Sequence, residues 1–298
     1  MNEIWNPDIV GRAARLQLLA RQLAWGYRFG QHRSPKVTRS IEFAEHKEYE
    51  PGDSIRSIDW RVYARTERLL VRRQQADTEV NLIFVIDASA DMALGVLQKP
   101  KWEDTHIGRA ATLIASLCLL AQRRGERVGL WVLGGEGHEL HWFPPRSNKN
   151  QLVQIMTTLA AIRPKGRANI AQGLEELGGF LPKRSILYVL SDFMEEPGFW
   201  GPILPNLAVQ GCDIRLVHMF SQKEFELDFE ETAKFLSLEY TKGISLDSVS
   251  VREDFREIVA QYKEEIAHWS GLSRSIYISA PLEDDLLKPF VQMIRGSG

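Results

Sequence analysis

The chain has 298 residues, 44% of them hydrophobic and 26% charged, and a formal net charge of -2. That length supports a large domain with a buried core, and the composition excludes a disordered, collagen-like or coiled-coil chain. The near-neutral balance supplies no global attraction to nucleic acid or to an anionic membrane.

Cys118 and Cys212 sit inside apolar stretches, SLCLL and QGCDIRLV, without a CxxC partner. They are predicted to be reduced core residues in a reducing compartment. The N-terminal MNEIWNPDIVGRAARLQ lacks the charged-then-apolar layout of a signal peptide. The most apolar runs, NLIFVIDASADMALGVL and ATLIASLCLLA, fall short of the roughly 20 apolar residues of a membrane span. A cytoplasmic protein without a membrane span is expected.

Residues 8–30 are predicted helical, because Ile9, Ala13, Leu16, Ala20, Leu23 and Tyr27 recur at spacings of four and three. Arg12, Arg15 and Arg21 fall off that stripe. Residues 40–79 are charged and turn-rich, and are predicted to form an irregular subdomain with two or three short strands. From residue 80 the rhythm becomes strand, helix, strand. VNLIFVID (80–87) is a short β-branched apolar run suited to a strand buried on both faces. A helix is predicted at about 105–124, ended by Gly125, followed by a strand at 127–135 and an antiparallel arm at 137–145.

Further helices are predicted at 149–162, 169–181 and near 202–210, with strands at 185–192 and 212–220. The stretch 234–249 alternates around Lys242-Gly243 and is predicted to be a β-hairpin. Ser250 and Glu253 form a capping box for a helix striped by Val251, Phe255, Ile258, Tyr262, Ile266 and Trp269. A last strand at 274–281 and a last helix at 282–296 follow. Strands alternating with helices imply an α/β fold: a doubly wound, mostly parallel sheet covered on both faces. The predicted division is 1–79, a helix and small β subdomain, and 80–298, the α/β domain.

In open α/β sheets, ligands bind beyond the carboxyl ends of the strands, where strand order reverses. Two predicted strands end in carboxylates at that edge, one in Asp87-Ala88-Ser89-Ala90-Asp91 and one in Ser191-Asp192. Such oxygen clusters suit a hard divalent cation, Mg²⁺, Mn²⁺ or Ca²⁺. The structural alternative is that each Asp caps the turn that follows its strand.

These loops resemble the metal-ion-dependent adhesion site of von Willebrand factor A domains. The upstream residues Glu42-Phe43, Tyr49-Glu50-Pro51-Gly52-Asp53, Arg56, Ile58-Asp59-Trp60, Ala64-Arg65 and Leu70-Val71-Arg72 resemble a bacterial family, number 58 among the domains of unknown function. That resemblance covers roughly 30–295. It implies a von Willebrand A-like fold and an interaction module paired with a MoxR-type AAA+ ATPase, acting as adaptor or co-chaperone for a client protein. The metal set it implies is Asp87, Ser89, Asp91 and Asp192. Two positions depart from the adhesion-site pattern: Asp91 stands where a Ser is expected, and Ala168, in Gly166-Arg167-Ala168-Asn169-Ile170, stands where a Thr is expected. The added charge beside Asp87 calls either for a cation or for a raised pKa; alternatively Arg167 supplies the counter-charge and the site is metal-free.

Arg56, Arg61, Arg65, Arg68, Arg72 and Arg73 surround only Asp59 and Glu67, with Trp60 and Tyr63 interleaved. One reading is a polyanion-binding surface. The other, favoured because the motif carries both signs together, is an ion-paired subdomain meeting Glu42, Glu45, Glu48, Glu50 and Asp53. Arg56, Arg61 and Arg65 are its candidate partner-binding residues. His138 and His141 do not have HExxH spacing, Trp131 and Trp142 suit packing, and neither GxxxxGK nor GxSxG occurs. A metal-dependent hydrolase using Asp87, Asp91 and Asp192 is the enzymatic alternative, and it lacks a nearby general acid, base or nucleophile. The expectation is therefore a non-enzymatic interaction module, with nucleic acid not among its partners.

Overall fold

The computed structural model describes residues 7–31, 46–49, 63, 68–72, 80–95, 100–136, 141–222, 233–236, 243–246 and 252–295. The chain divides into two compact units, one of Met1–Gly26 with Val80–Gly298 and the other Tyr27–Glu79. Helix α1 (Pro7–Gln31) buries Ile9, Leu16, Ala20 and Ala24, and its first twenty residues belong to the larger unit.

In the smaller unit, β1 (His46–Glu48) and β2 (Leu70–Arg72) pair antiparallel. The pairing is extended by the Tyr49 amide donating to the Leu69 carbonyl at 2.9 Å. Arg56, Arg61 and Arg65 lie outside the described residues, as do Glu42, Glu45, Glu50 and Asp53, while Glu48 ends β1.

The larger unit is built on a six-stranded sheet. Its members are β3 (Asn81–Asp87), β4 (Arg127–Leu133), β5 (His141–Arg146), β6 (Ser185–Ser191), β7 (Cys212–Phe220) and β10 (Ile276–Pro281), in the order β10-β7-β6-β3-β4-β5. All neighbours are parallel except β5, which runs antiparallel to β4 with a register shift between Val128 and Leu130. The chain winds from β3 outward to β5, then crosses back to β6 on the other flank of β3. Strand order therefore reverses between β3 and β6. This is the doubly wound, mostly parallel α/β architecture expected from the sequence.

The β3 strand is buried throughout, because helices cover both sheet faces. On one face Ile83, Val85, Leu187, Val189, Ile214 and Leu216 pack with Ile170, Leu174 and Leu177 of α4 (Ile170–Gly178). Burying each such side chain contributes roughly 1.5–3 kcal/mol. Gly173 lets α4 approach closely: a Cβ there would lie 2.5 Å from the Leu133 side chain. On the other face lies α2 (His106–Arg124), capped by Thr105 Oγ1 accepting from the Gly108 amide at 3.2 Å and ended by Gly125 at φ 72°. Helix α3 (Lys149–Ala161) is capped by Asn148.

Several boundaries differ from expectation. The loop after β6 holds a short helix, α5 (Pro197–Trp200), before α6 (Ile203–Val209), set by Pro197 at its first position. The hairpin strands are β8 (Ala233–Leu236) and β9 (Gly243–Leu246). Gly243 thus lies within a strand rather than at the turn. Helix α7 spans Arg252–Ser273; Ser250 and Val251 lie outside the described residues, and Ile258, expected on the buried stripe, is exposed. The last helix, α8, covers Leu287–Arg295 and starts five residues late, where Asp285 accepts from the Leu287 amide at 2.8 Å. No helix among the described residues is long and apolar enough to cross a membrane.

Candidate functional site at the carboxyl edge of the sheet

The reversal point brings Asp87, at the end of β3, beside Ser191, at the end of β6. Asp87 Oδ2 accepts the Ser191 hydroxyl at 2.5 Å, and Oδ1 accepts the Ser89 amide at 2.7 Å. Ser191 Oγ in turn accepts the Phe193 amide at 2.8 Å. All three polar groups are buried. Burial raises the Asp87 pKa above the ordinary carboxylate range; the Ser191 and Ser89 hydrogen bonds oppose that rise, and the charge of Asp91 adds to it.

The neighbouring loop is fastened to this centre through backbone. The Ala90 amide donates to the Gly166 carbonyl at 2.9 Å, and the Lys165 amide donates to the Ala88 carbonyl at 3.1 Å. Gly134 and Gly135, at φ 73° and 88°, turn the chain beneath these loops where a Cβ on either would meet neighbours at 3.1 Å. Asp192 is buried, and its Oδ1 accepts from the Met194 amide at 3.2 Å, which fixes the start of the following loop. Asp91 sits in a 3-10 turn, Ala90–Ala93, and is partly exposed.

Of the expected metal set, the structure brings Asp87 and the Ser89 backbone into one hydrogen-bonded unit. Asp91 lies close enough to raise Asp87, and Asp192 is engaged in a local turn. Both oxygens of Asp87 already serve protein donors, and half-buried Ala168 offers no side-chain oxygen. Among the described residues no three His, Cys, Asp or Glu side chains are grouped to hold a metal ion. This donor set fits a divalent cation poorly.

Four participants were not singled out from the sequence. Glu195 accepts from the Ile170 amide at 2.7 Å, capping α4, with its pKa raised by burial and by Asp87. His218 is paired in register with Ser191 on the adjacent strand, and its Nδ1 lies 2.5 Å from Tyr277 Oη. Phe193, Phe220, Tyr262 and Tyr277 surround its ring, and burial lowers its pKa to about 3. His106, first residue of α2, is buried beside the Asp91 carbonyl with its pKa lowered to about 4. The fourth is the exposed pair Met194 and Phe199, 69% and 62% accessible, in the loop after Asp192. A polar residue midway along the apolar run IRLVHMF was the available signal for His218. Trp131 and Trp142 pack together at 5.3 Å, as the sequence suggested; His138 lies outside the described residues.

The family model described as protein of unknown function DUF58 matches residues 45–265. The chain belongs to that family. Uncharacterized proteins of Mycobacterium tuberculosis and Mycobacterium bovis are 24% identical over 301 residues, covering 98% of this chain and 90% of theirs. Among solved structures, the chain is similar to the conserved hypothetical protein BatB of Bacteroides thetaiotaomicron, with TM-score 0.46 and 16% identity over 72% of this chain and 97% of that one. It is also similar to an aerotolerance-related membrane protein of Bacteroides fragilis, with TM-score 0.47 and 15% identity over the same shares, 72% and 97%. A third similarity is to the SpRpn10 VWA domain, with TM-score 0.37 and 12% identity over 71% of this chain and 93% of that one.

Proposed function

We propose that this DUF58 protein is a non-enzymatic interaction module that grips a partner protein at the carboxyl edge of its sheet, without a resident cation. The observation that carries the reading is a hydrogen-bonded loop cluster carrying two exposed apolar side chains. Asp87, Ser191 and Asp192 lock the loop from inside, while Met194 and Phe199 project from it. Exposed apolar side chains held by a preorganised backbone lose little entropy on binding and make effective anchors. Ser191 and Asp87 pair as a potential nucleophile would with a base, yet Ser191 is fully buried and out of a substrate's reach. His106 and His218 are buried and neutral at pH 7. In this reading Asp87 and Asp192 are positioning residues, and Met194 and Phe199 make the contact.

The partner we propose is a MoxR-type AAA+ ATPase, through which the module would act as an adaptor for a client. The test is biolayer interferometry of the chain against such an ATPase from the same organism, with Met194→Ala/Phe199→Ala and Asp192→Ala alongside. The double variant should weaken binding about tenfold or more with an unchanged melting temperature. Asp192→Ala should weaken it less, by loosening the loop. Absence of wild-type binding would sink the ATPase as partner, and full binding by the double variant would move the interface off this edge.

A further inference from the structure

Helix α1 carries two apolar stripes. One, Ile9, Leu16, Ala20 and Ala24, is buried. The other, Val10, Ala14, Leu18 and Trp25, faces outward; Val10, Leu18 and Trp25 are each half-accessible or more. At about 1.5 Å per residue the outer stripe is roughly 22 Å long, enough for four turns of a partner helix. A surface helix that needs only to cover a core shows one apolar stripe and a polar opposite face. The second stripe is left about half uncovered by the described chain.

Its C-terminal end opens on a cavity of about 290 Å³ between α1 and the last turn of α2, lined by Arg21, Trp25, Leu119, Leu120, Gln122 and Arg123. Among the described residues no acidic side chain lines it. Elsewhere on α1, Arg15 is paired with Glu103 at 3.2 Å and Arg12 lies over the Trp102 ring. Arg21 and Arg123 have no such neighbour among the described residues. The cavity therefore offers an apolar socket with two guanidinium groups at its rim that no described carboxylate pairs.

We propose that this face docks an amphipathic helix of a partner protein, with an apolar anchor seated against Trp25, Leu119 and Leu120 and carboxylates meeting Arg21 and Arg123. The charge at the rim selects an acidic partner. The concave socket and the length of the stripe select a helix over a membrane surface, which is met by flatter faces and clusters of four or more basic residues. Because α2 links the carboxyl end of β3 to the amino end of β4, its last turn lies at the end of the sheet opposite Asp87. The two surfaces can be occupied together, and the failure of either proposal leaves the other standing.

The test uses the full chain and a fluorescein-labelled helical peptide of about 18 residues, with Leu and Phe at helical spacing and Glu on the flanks; a second peptide carries Lys for Glu. Fluorescence anisotropy should show saturable binding of the acidic peptide. Trp25→Ala should weaken it about tenfold or more, and Leu18→Ser several-fold. Arg21→Glu/Arg123→Glu should reverse the preference toward the Lys peptide. These side chains are exposed, and unchanged thermal melts check that each variant is folded. No saturable binding at millimolar peptide, equal binding of both peptides, or indifference to Trp25→Ala would overturn the proposal. So would a dimer seen by sedimentation, or binding to phosphatidylglycerol–phosphatidylcholine vesicles, that disappears in Trp25→Ala.

Discussion

The Ser191 hydroxyl donates to Asp87 Oδ2 at 2.5 Å, joining the ends of two strands 104 residues apart in sequence. With the Ser89 amide on the other oxygen, this bond converts a buried carboxylate into a tie between the loops that follow β3 and β6. An unpaired carboxylate at this depth would be costly, so the tie and the fold are mutually dependent.

Asp87→Ala removes that acceptor and strands the Ser89 amide and the Ser191 hydroxyl. Leaving buried donors unsatisfied costs about 1–3 kcal/mol, to be read as a lower urea midpoint with an unchanged slope. Asp87→Asn keeps the shape and an acceptor, and should lose about half as much. Equal stability of Asp87→Ala and wild type would refute the structural role given to this residue.

The buried histidines predict acid sensitivity. Unfolded imidazoles take up protons below about pH 6.5, while His106 and His218 stay neutral in the fold until about pH 4 and about pH 3. The unfolded state therefore binds more protons across that window, and stability falls as pH drops through it. Asp87 acts in the opposite sense, since its raised pKa lets the folded state take up a proton first. The groups acting on the two rings include Arg109, Glu283, Lys263, the rings themselves, and the carbonyls of Asp91 and Asp192. Between about pH 6.5 and pH 5 each histidine should cost roughly 2 kcal/mol of stability. His218→Phe should remove about half of the loss seen in urea melts at the two pH values. An unaltered pH profile would show that His218 does not titrate on unfolding in this range.

Two glycine substitutions on neighbouring helices should have opposite signs. A Cβ at Gly108 would lie 1.9 Å from the Trp102 carbonyl oxygen, so Gly108→Ala must displace backbone and should destabilise by about 1–3 kcal/mol. Gly11, exposed on α1, has nothing within 4 Å of its Cβ position. Gly11→Ala should stabilise by about 0.5–1 kcal/mol through backbone entropy and helix propensity. Thermal melts compare the two directly.

Metal binding is checked by calorimetry on metal-stripped protein. Mg²⁺, Mn²⁺ and Ca²⁺ should give no saturable heat and no rise in melting temperature with the wild type, whose Ala168 lacks a hydroxyl and whose Asp91 stands where the adhesion-site pattern has a Ser. Restoring two hydroxyls with Asp91→Ser/Ala168→Thr should introduce measurable binding. Tight binding by the wild type would reinstate Asp87, Ser89, Asp91 and Asp192 as a cation site and reverse the cation-free reading.

How far each level of the molecule was legible follows from the range of the forces involved. Helix and strand identities rest on local periodicity and on caps such as Thr105, Asn148 and Gly125, so α2, β3, β6 and β7 emerged within a residue or two of their bounds. The alternation of apolar strands with helices also settled the doubly wound class, because an all-apolar strand must be covered on both faces. The strand-end carboxylates were visible as residues, but their bonding was not. Only the crossover from β5 back to β6 sets Ser191 against Asp87, and only the register of β7 on β6 sets His218 beside Ser191. Nor did periodicity show that Ile258 would face outward, or that α1 would keep a second stripe exposed; an apolar residue is buried only where tertiary packing supplies something to cover it. The sequence by itself determined the elements and their class, through interactions a few residues long. The tertiary structure decided which polar groups satisfy one another and which apolar faces remain open, because those outcomes depend on partners brought together from distant parts of the chain.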